Sequence, residues 1–182
     1  SSEGVSRAET QDSAVIDQAA EYNAKQLGRL VALDRPQFLI DVLPCIWPLY
    51  NRRASATVLC VGPRSENEIF MLISKGFRAE NITGLDLISY SEFVDVGDMH
   101  AMPYADNSFD VVFLGWVLGY SNDCQKAANE VIRVTKPGGY VAVGVERPVP
   151  ETLAVKDGDH GIDGTYFYSV DELIALFGEH VR

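Results

Sequence analysis

The chain has 182 residues, 47% hydrophobic and 23% charged, and its 26 acidic against 15 basic residues leave a net charge of -11. That length and mix fit one folded domain with a sizeable core, and they exclude wholesale disorder, a collagen-like repeat and a coiled coil. An acidic surface repels a nucleic-acid backbone, and no Lys/Arg cluster larger than Arg52-Arg53 offsets it, so no nucleic-acid partner is expected.

The three cysteines, Cys45, Cys60 and Cys124, are scattered, as are the three histidines. No metal site of familiar spacing is present, and reduced thiols in a cytoplasmic protein are expected. No apolar run approaches the roughly 20 residues that span a bilayer, so no membrane partner is expected. Ser1-Ser2-Glu3-Gly4 has no signal-peptide pattern.

In chain order, residues 13–33 carry Ile16, Ala19, Ala20, Leu27, Leu30 and Val31 at helical spacing. A short helix is expected from Asp34 to Leu43, with Pro36 in its first turn, before Pro44 and Pro48 break the chain. Residues 1–53 are thus expected to form a helical segment that caps a site in residues 54–182. Thr57 to Val61 is a continuous apolar run, as in a strand buried on both faces. Gly62-Pro63-Arg64 follows as a turn, and Ser65 with Glu68 makes a capping box for a helix with Ile69, Leu72 and Ile73 inward.

Ile82–Leu87, Phe93–Val96 and Phe109–Leu114 read as the next three strands, Asp123–Val134 as an amphipathic helix, and Lys136-Pro137-Gly138-Gly139 as a turn. Tyr140–Val145 is a fifth strand. Ser169 and Glu172 then cap a last helix whose Val170, Leu173, Ile174 and Phe177 are expected to face inward. Alternating strands and helices predict an α/β fold: a doubly wound, Rossmann-like, mostly parallel sheet in an αβα sandwich with N-terminal helices.

Such sheets bind ligands beyond the carboxyl ends of the strands, near the switch point. The residues there are Gly62 to Ser65 after the first strand, Asp86 and Leu87 after the second, Asp98, Met99 and His100 after the third, and Gly115, Trp116 and the stretch to Ser121 after the fourth. A carboxylate at the Asp86 position suits the hydroxyls of a ribose. Glu66 and Glu68 in the first helical turn stabilise the helix dipole but oppose a pyrophosphate, and G-x-G-x-x-G is absent. A dinucleotide is therefore disfavoured, whereas a sulfonium carrying an ammonium group meets no such opposition.

Four segments carry a resemblance. They are Val58-Leu59-Cys60-Val61-Gly62, Gly84-Leu85-Asp86-Leu87, Gly97-Asp98-Met99-His100-Ala101-Met102-Pro103-Tyr104 running on to Asp110-Val111-Val112, and Glu130-Val131-Ile132-Arg133-Val134 with Lys136-Pro137-Gly138-Gly139. With them, residues 56–146 resemble class I S-adenosylmethionine-dependent methyltransferases of the small-molecule type. The resemblance implies S-adenosylmethionine as cofactor, held by Gly62, Pro63, Arg64 and Ser65 at its methionine part, by Asp86 with Leu87 at the ribose, and by Asp98 and the Met99 backbone at the adenine, beside His100. It places Gly115 and Trp116 beside the methionine moiety; by position in the chain, Trp116 and Tyr120 either line the pocket of a small-molecule acceptor or pack as core or lid.

The reaction implied is an in-line displacement at the sulfonium methyl, which asks mainly for positioning and water exclusion. His100 and Tyr120 are the candidate general bases should the acceptor be a hydroxyl. The first loop departs from the family, with Arg64 and Glu66 where further glycines stand, and Arg64 is a candidate partner for the cofactor carboxylate. A methyltransferase-like binding module without turnover is the alternative this departure leaves open. Only residues 87–97 separate Asp86 from Asp98, too few for a crossover helix, so a near-direct loop is expected. The family's closing antiparallel strands would follow residue 182. Either the sequence belongs to a longer protein, or a second copy covers the fifth-strand edge in a homo-oligomer.

Overall fold

Two apolar runs split by a period of two set the architecture. In the computed structural model, which describes residues 6–7, 17, 21, 35–63, 66–147 and 165–181, Val58–Val61 is strand β1 and Phe109–Gly115 is the strand paired beside it. Val58, Cys60, Val111 and Phe113 face one core, with Ile40, Leu43, Leu49, Ile69, Leu72 and Phe77. Leu59, Val61, Val112 and Leu114 face the other, with Leu118, Ala127, Ala128, Val131, Val134, Phe167 and Phe177. Successive side chains of a strand point to opposite faces, so an unbroken apolar run requires helices on both.

The remaining strands are β2 (Ile82–Asp86), β3 (Val94–Val96), β4 (the Phe109–Gly115 strand) and β5 (Thr135–Gly144). They form one parallel sheet in the order β3-β2-β1-β4-β5, which reverses direction between β1 and β4. The expected doubly wound αβα sandwich is therefore the observed one. Helices α1 (Pro36–Ile40), α2 (Trp47–Asn51) and α3 (Asn67–Ser74) cover one face. Helices α4 (Cys124–Val134) and α5 (Val170–Ala175) cover the other. The loop from β2 to β3 holds no helix. Its seven residues, at about 3.3 Å each, suffice to return alongside the three residues of β3. Ile88–Ser89 in that loop pairs with Ser6–Arg7 as a short antiparallel ladder.

Several elements differ from the expectation. The helix expected over 13–33 lies outside the described residues except for Asp17 and Glu21, which are helical. Pro44 and Pro48 open helical turns instead of ending them, because a proline in the first turn removes only an N–H that has no intrahelical acceptor. Helix α3 begins at Asn67 with Glu66 at its N-cap, and Ser65 of the expected capping box lies outside the described residues. Lys136–Gly139 is a bulge within β5, since two residue steps on β4 face five on β5 there. Gly139 is required in it: a Cβ would stand 2.8 Å from the Lys136 carbonyl oxygen. In α5, Val170 and Ile174 are 69% and 47% exposed, against the inward expectation. Six residues make under two turns, so a single stripe of Leu173, Leu176 and Phe177 reaches the core.

At the amino end of β4, buried Asp110 joins three segments. Its carboxylate accepts from Arg52, from Lys136 Nζ at 2.8 Å, and from the Thr57 backbone and hydroxyl, each at 2.9 Å. Burial alone would raise its pKa; the bonds from Lys136, Thr57 and Arg52 outweigh burial and hold it well below the ordinary range.

Candidate functional site

The tips of β1 and β2 adjoin at the crevice side of the sheet. Gly62 follows β1 with φ +68°, and its N–H donates to the Leu85 carbonyl at 2.7 Å. A Cβ on Gly62 would lie 2.4 Å from Val117 Cγ2, so both the left-handed backbone and the packing demand glycine. Pro63 follows on the same tip, against Gly84 of β2. Asp86 closes β2, and its Oδ1 accepts the Ile88 N–H at 3.3 Å. Burial pushes the Asp86 carboxyl up to about 6, and backbone bonds from Ile88 and Leu87 only partly offset that. A desolvated carboxylate of this kind gains from ligand hydroxyls that donate to it. Arg64 and Ser65 lie outside the described residues.

Beyond β3 the chain turns back at Asp98, whose carbonyl accepts the Ala101 N–H at 3.0 Å. Asp98 Oδ1 accepts the His100 N–H at 2.9 Å and lies 2.6 Å from His100 Nδ1. His100 Nε2 is 2.7 Å from the Ser121 hydroxyl. Asp98, His100 and Ser121 are all buried, at 7%, 8% and 5% exposure. This corrects the reading of His100 as a general base: both ring nitrogens already hold protein partners, and no lone pair is left for a substrate proton. Met99 packs against the core with its backbone in the same turn.

The segment after this turn is clamped from α4. Arg133 donates to the carbonyls of Met102 and Tyr104 at 2.9 and 2.7 Å, and to Glu130 through Nε and Nη2. Glu130 accepts the Met102 N–H at 2.7 Å. The Glu130/Arg133 part of the resemblance is thus a structural brace one turn of helix long.

At the tip of β4, Gly115 is tightly packed: Glu68 Oε1 and Pro36 Cγ would stand 3.0 and 3.3 Å from a Cβ there. Trp116 has φ +62°, a strained conformation for a tryptophan. Its N–H donates to both Leu114 and Gly144 carbonyls at 3.0 Å, and its ring lies so close over Gly144 that a Cβ there would be 2.6 Å away. Tyr120 ends the following turn, 45% exposed, and the Gly119 carbonyl accepts the Thr165 N–H at 2.7 Å.

The tips of β1, β2 and β4 and the turn after β3 thus bring Gly62, Asp86, Asp98 and Trp116 to one edge of one sheet. Two residues there escaped the sequence. Glu68 reads from the sequence as a capping-box and helix-dipole acid, and its burial beside Gly115 at the tip of β4 has no signal there. Ser121 has no local signal at all; its role depends on a histidine 21 positions away. Among the described residues no group of acidic, cysteine and histidine side chains is placed to hold a metal. The donor set fits a purine nucleoside without phosphates: carboxylates for hydroxyls and an amine, a glycine that bares its backbone, and acids that favour a cationic substituent.

Residues 59–143 match the methyltransferase domain family. A demethylmenaquinone methyltransferase of Desulfitobacterium hafniense (strain Y51) is 36% identical over 100 residues, 55% of this chain and 36% of that protein. A ubiquinone/menaquinone biosynthesis C-methyltransferase of Klebsiella pneumoniae (strain ATCC 700721 / MGH 78578) is 30% identical over 107 residues, 57% of this chain and 40% of that protein. The chain thus aligns with well under half the length of these curated relatives. In fold it is similar to a SAM-dependent methyltransferase from Thermotoga maritima, with TM-score 0.60 and 16% identity over 92% of this chain and 79% of that one. The matched segment is a methyltransferase domain of the class I, S-adenosylmethionine-dependent type.

Proposed function

We propose that the chain transfers a methyl group from S-adenosylmethionine to a small-molecule acceptor. The observation that carries this is the pair of carboxylates, Asp86 and Asp98, at the ends of adjacent strands beside the bare backbone of Gly62. In this reading Asp86, with Leu87, receives the ribose hydroxyls. Asp98 and the Met99 backbone receive the adenine, with His100 behind them. Gly62, Pro63, Arg64, Ser65 and Gly115 surround the methionine part.

The cofactor supplies an electrophilic methyl on a sulfonium, which is already a good leaving group. The chain's own task is to hold that methyl in line with the acceptor and to keep water out. Trp116, fixed by two backbone bonds and by Gly144, forms one wall on the acceptor side, and Tyr120 another. A hydroxyl acceptor would find its base in Tyr120 or in solvent. The 35–53 segment caps the tip of β4 through Pro36, and Arg35 pairs with Glu146 just beyond β5.

The relatives' names bring quinone-like rings into range as acceptors. No helix among the described residues is long and apolar enough to cross a membrane. Among the described residues β5 has one sheet neighbour, β4, and its free edge supports a homo-oligomer that equilibrium sedimentation would detect.

Titration calorimetry with S-adenosylhomocysteine tests the reading: the wild-type chain binds, and Asp86→Ala loses at least about tenfold in affinity, as expected for a charge-assisted bond. Absence of binding, or an unaffected variant, overturns it. Binding without methyl transfer across an acceptor screen would instead favour a module that lacks turnover, the reading the altered first loop supports.

A further inference from the structure

The loop that leaves β2 is held from two sides, and one of them is the far amino end of the chain. Asp86 closes β2, and its carboxylate accepts backbone N–H groups from Leu87 and from Ile88, the latter at 3.3 Å. Ile88 and Ser89 in turn stand opposite Arg7 and Ser6 in the antiparallel ladder.

Beyond Ser89 the loop fixes itself. The Ser89 hydroxyl donates to the Ser91 carbonyl at 2.9 Å and accepts the Ser91 N–H at 3.2 Å, and the Ser91 hydroxyl accepts the Phe93 N–H at 3.2 Å. Those bonds anchor residues 89–93 toward β3. Residues 87–88 carry the donors to Asp86, and the ladder with residues 6–7 supplies their neighbour along the backbone. Two residue pairs make a marginal ladder, so it opens locally without global unfolding.

We infer that the strand at residues 6–7 is a clamp that preorganises the ribose-binding loop, coupled to cofactor binding at Asp86 through the shared Ile88. The inference rests on the cofactor reading above. With the ladder closed, residues 87–88 already stand where their N–H groups hold the Asp86 carboxylate, and the ligand meets an ordered acceptor. With it open, binding must first order the loop, and that cost comes off the affinity. Such coupling is reciprocal: the factor by which the closed ladder raises cofactor affinity is the factor by which the cofactor favours closure.

Titration calorimetry with S-adenosylhomocysteine compares the wild-type chain with Ser6→Pro/Arg7→Pro and with Ser6→Ala/Arg7→Ala. Proline lacks the N–H that this strand brings to the ladder, and alanine keeps it. The proline pair is expected to lose about five- to tenfold in affinity, and the alanine pair to stay within about twofold of wild type. Thermal melts separate a merely structural role: a lowered melting temperature with unchanged affinity in the proline pair would overturn the inference. Hydrogen exchange of the wild type reads the coupling from the other side, and carries the test should the proline pair fail to fold. A ligand indifferent to the ladder slows only those amides that exchange through global unfolding. Here the amides of Ser6, Arg7 and Ser89, which exchange by local opening, are expected to slow by the same factor of about five to ten on saturation with S-adenosylhomocysteine. Unchanged exchange there would overturn the inference. If the wild type does not bind S-adenosylhomocysteine, the cofactor reading fails and the inference with it. If it binds and Asp86→Ala weakens binding while the proline pair binds as wild type does, the inference alone fails.

Discussion

At the scale of single residues, the crevice edge is built from groups that are uncomfortable without a ligand. Asp86 is a carboxyl raised by burial to about 6, against roughly 3.9 in an unfolded chain. Between those values the folded state holds the extra proton, so this residue's contribution to stability falls as pH rises from about 4 to about 6. A ligand that donates to the ionised carboxylate reverses the sense for binding. Affinity for S-adenosylhomocysteine should weaken by up to about tenfold per pH unit below 6 and level off above it. Calorimetry from pH 5 to 8 checks this, and Asp86→Asn should flatten the profile.

Gly62 is constrained twice over, by φ +68° and by Val117 at 2.4 Å from any Cβ. Gly62→Ala should lower stability by about 1–3 kcal/mol, as overpacking does, and abolish cofactor binding. Adding Val117→Ala should restore part of the stability, because it removes the clash, while the backbone penalty of about 1–2 kcal/mol remains. Chemical denaturation of the two variants separates the effects.

At the scale of elements, helix α4 does two jobs with two faces. Ala127, Ala128, Val131 and Val134 bury against β4 and β5, while Glu130 and Arg133 hold the loop that leads from the turn after β3 into β4. The planar guanidinium reaches two carbonyls and two carboxylates at once, which a lysine cannot do. Arg133→Ala should destabilise the fold by about 2 kcal/mol, and Arg133→Lys should not rescue it. Hydrogen exchange should localise the loosening to residues 102–106. The bulge in β5 belongs to this scale too: three extra residues let Lys136 reach Asp110 before β5 resumes its register.

At the scale of the whole molecule, the N-terminal segment and the sheet share one core. Ile40, Leu43 and Leu49 are fully buried with Val58, Cys60 and Phe113, and Arg52 ties the same segment to Asp110. Removing three such side chains at about 2–5 kcal/mol each rivals the whole stability of a domain. A chain starting at residue 54 should therefore show no cooperative thermal transition. A sharp melt comparable with that of the full chain would show that the cap and the sheet fold independently.

The sequence alone determined the strands and their parallel arrangement. Those features are written in short-range pattern: apolar runs that need two covered faces, glycines where φ must be positive, acids where strands end. It also implied the near-direct loop between Asp86 and Asp98, because the eleven residues 87–97 must hold a strand as well and leave too few for a crossover helix. Tertiary structure decided what depends on neighbours distant in the chain. Glu68 is buried beside Gly115 at the tip of β4, His100 Nε2 is engaged because Ser121 lies opposite, and Val170 and Ile174 stay exposed because a short helix turns one stripe inward. The period of a sequence tells which residues share a face. It does not tell what that face will meet, because burial and proton sharing arise between segments whose distance apart only the folded chain fixes.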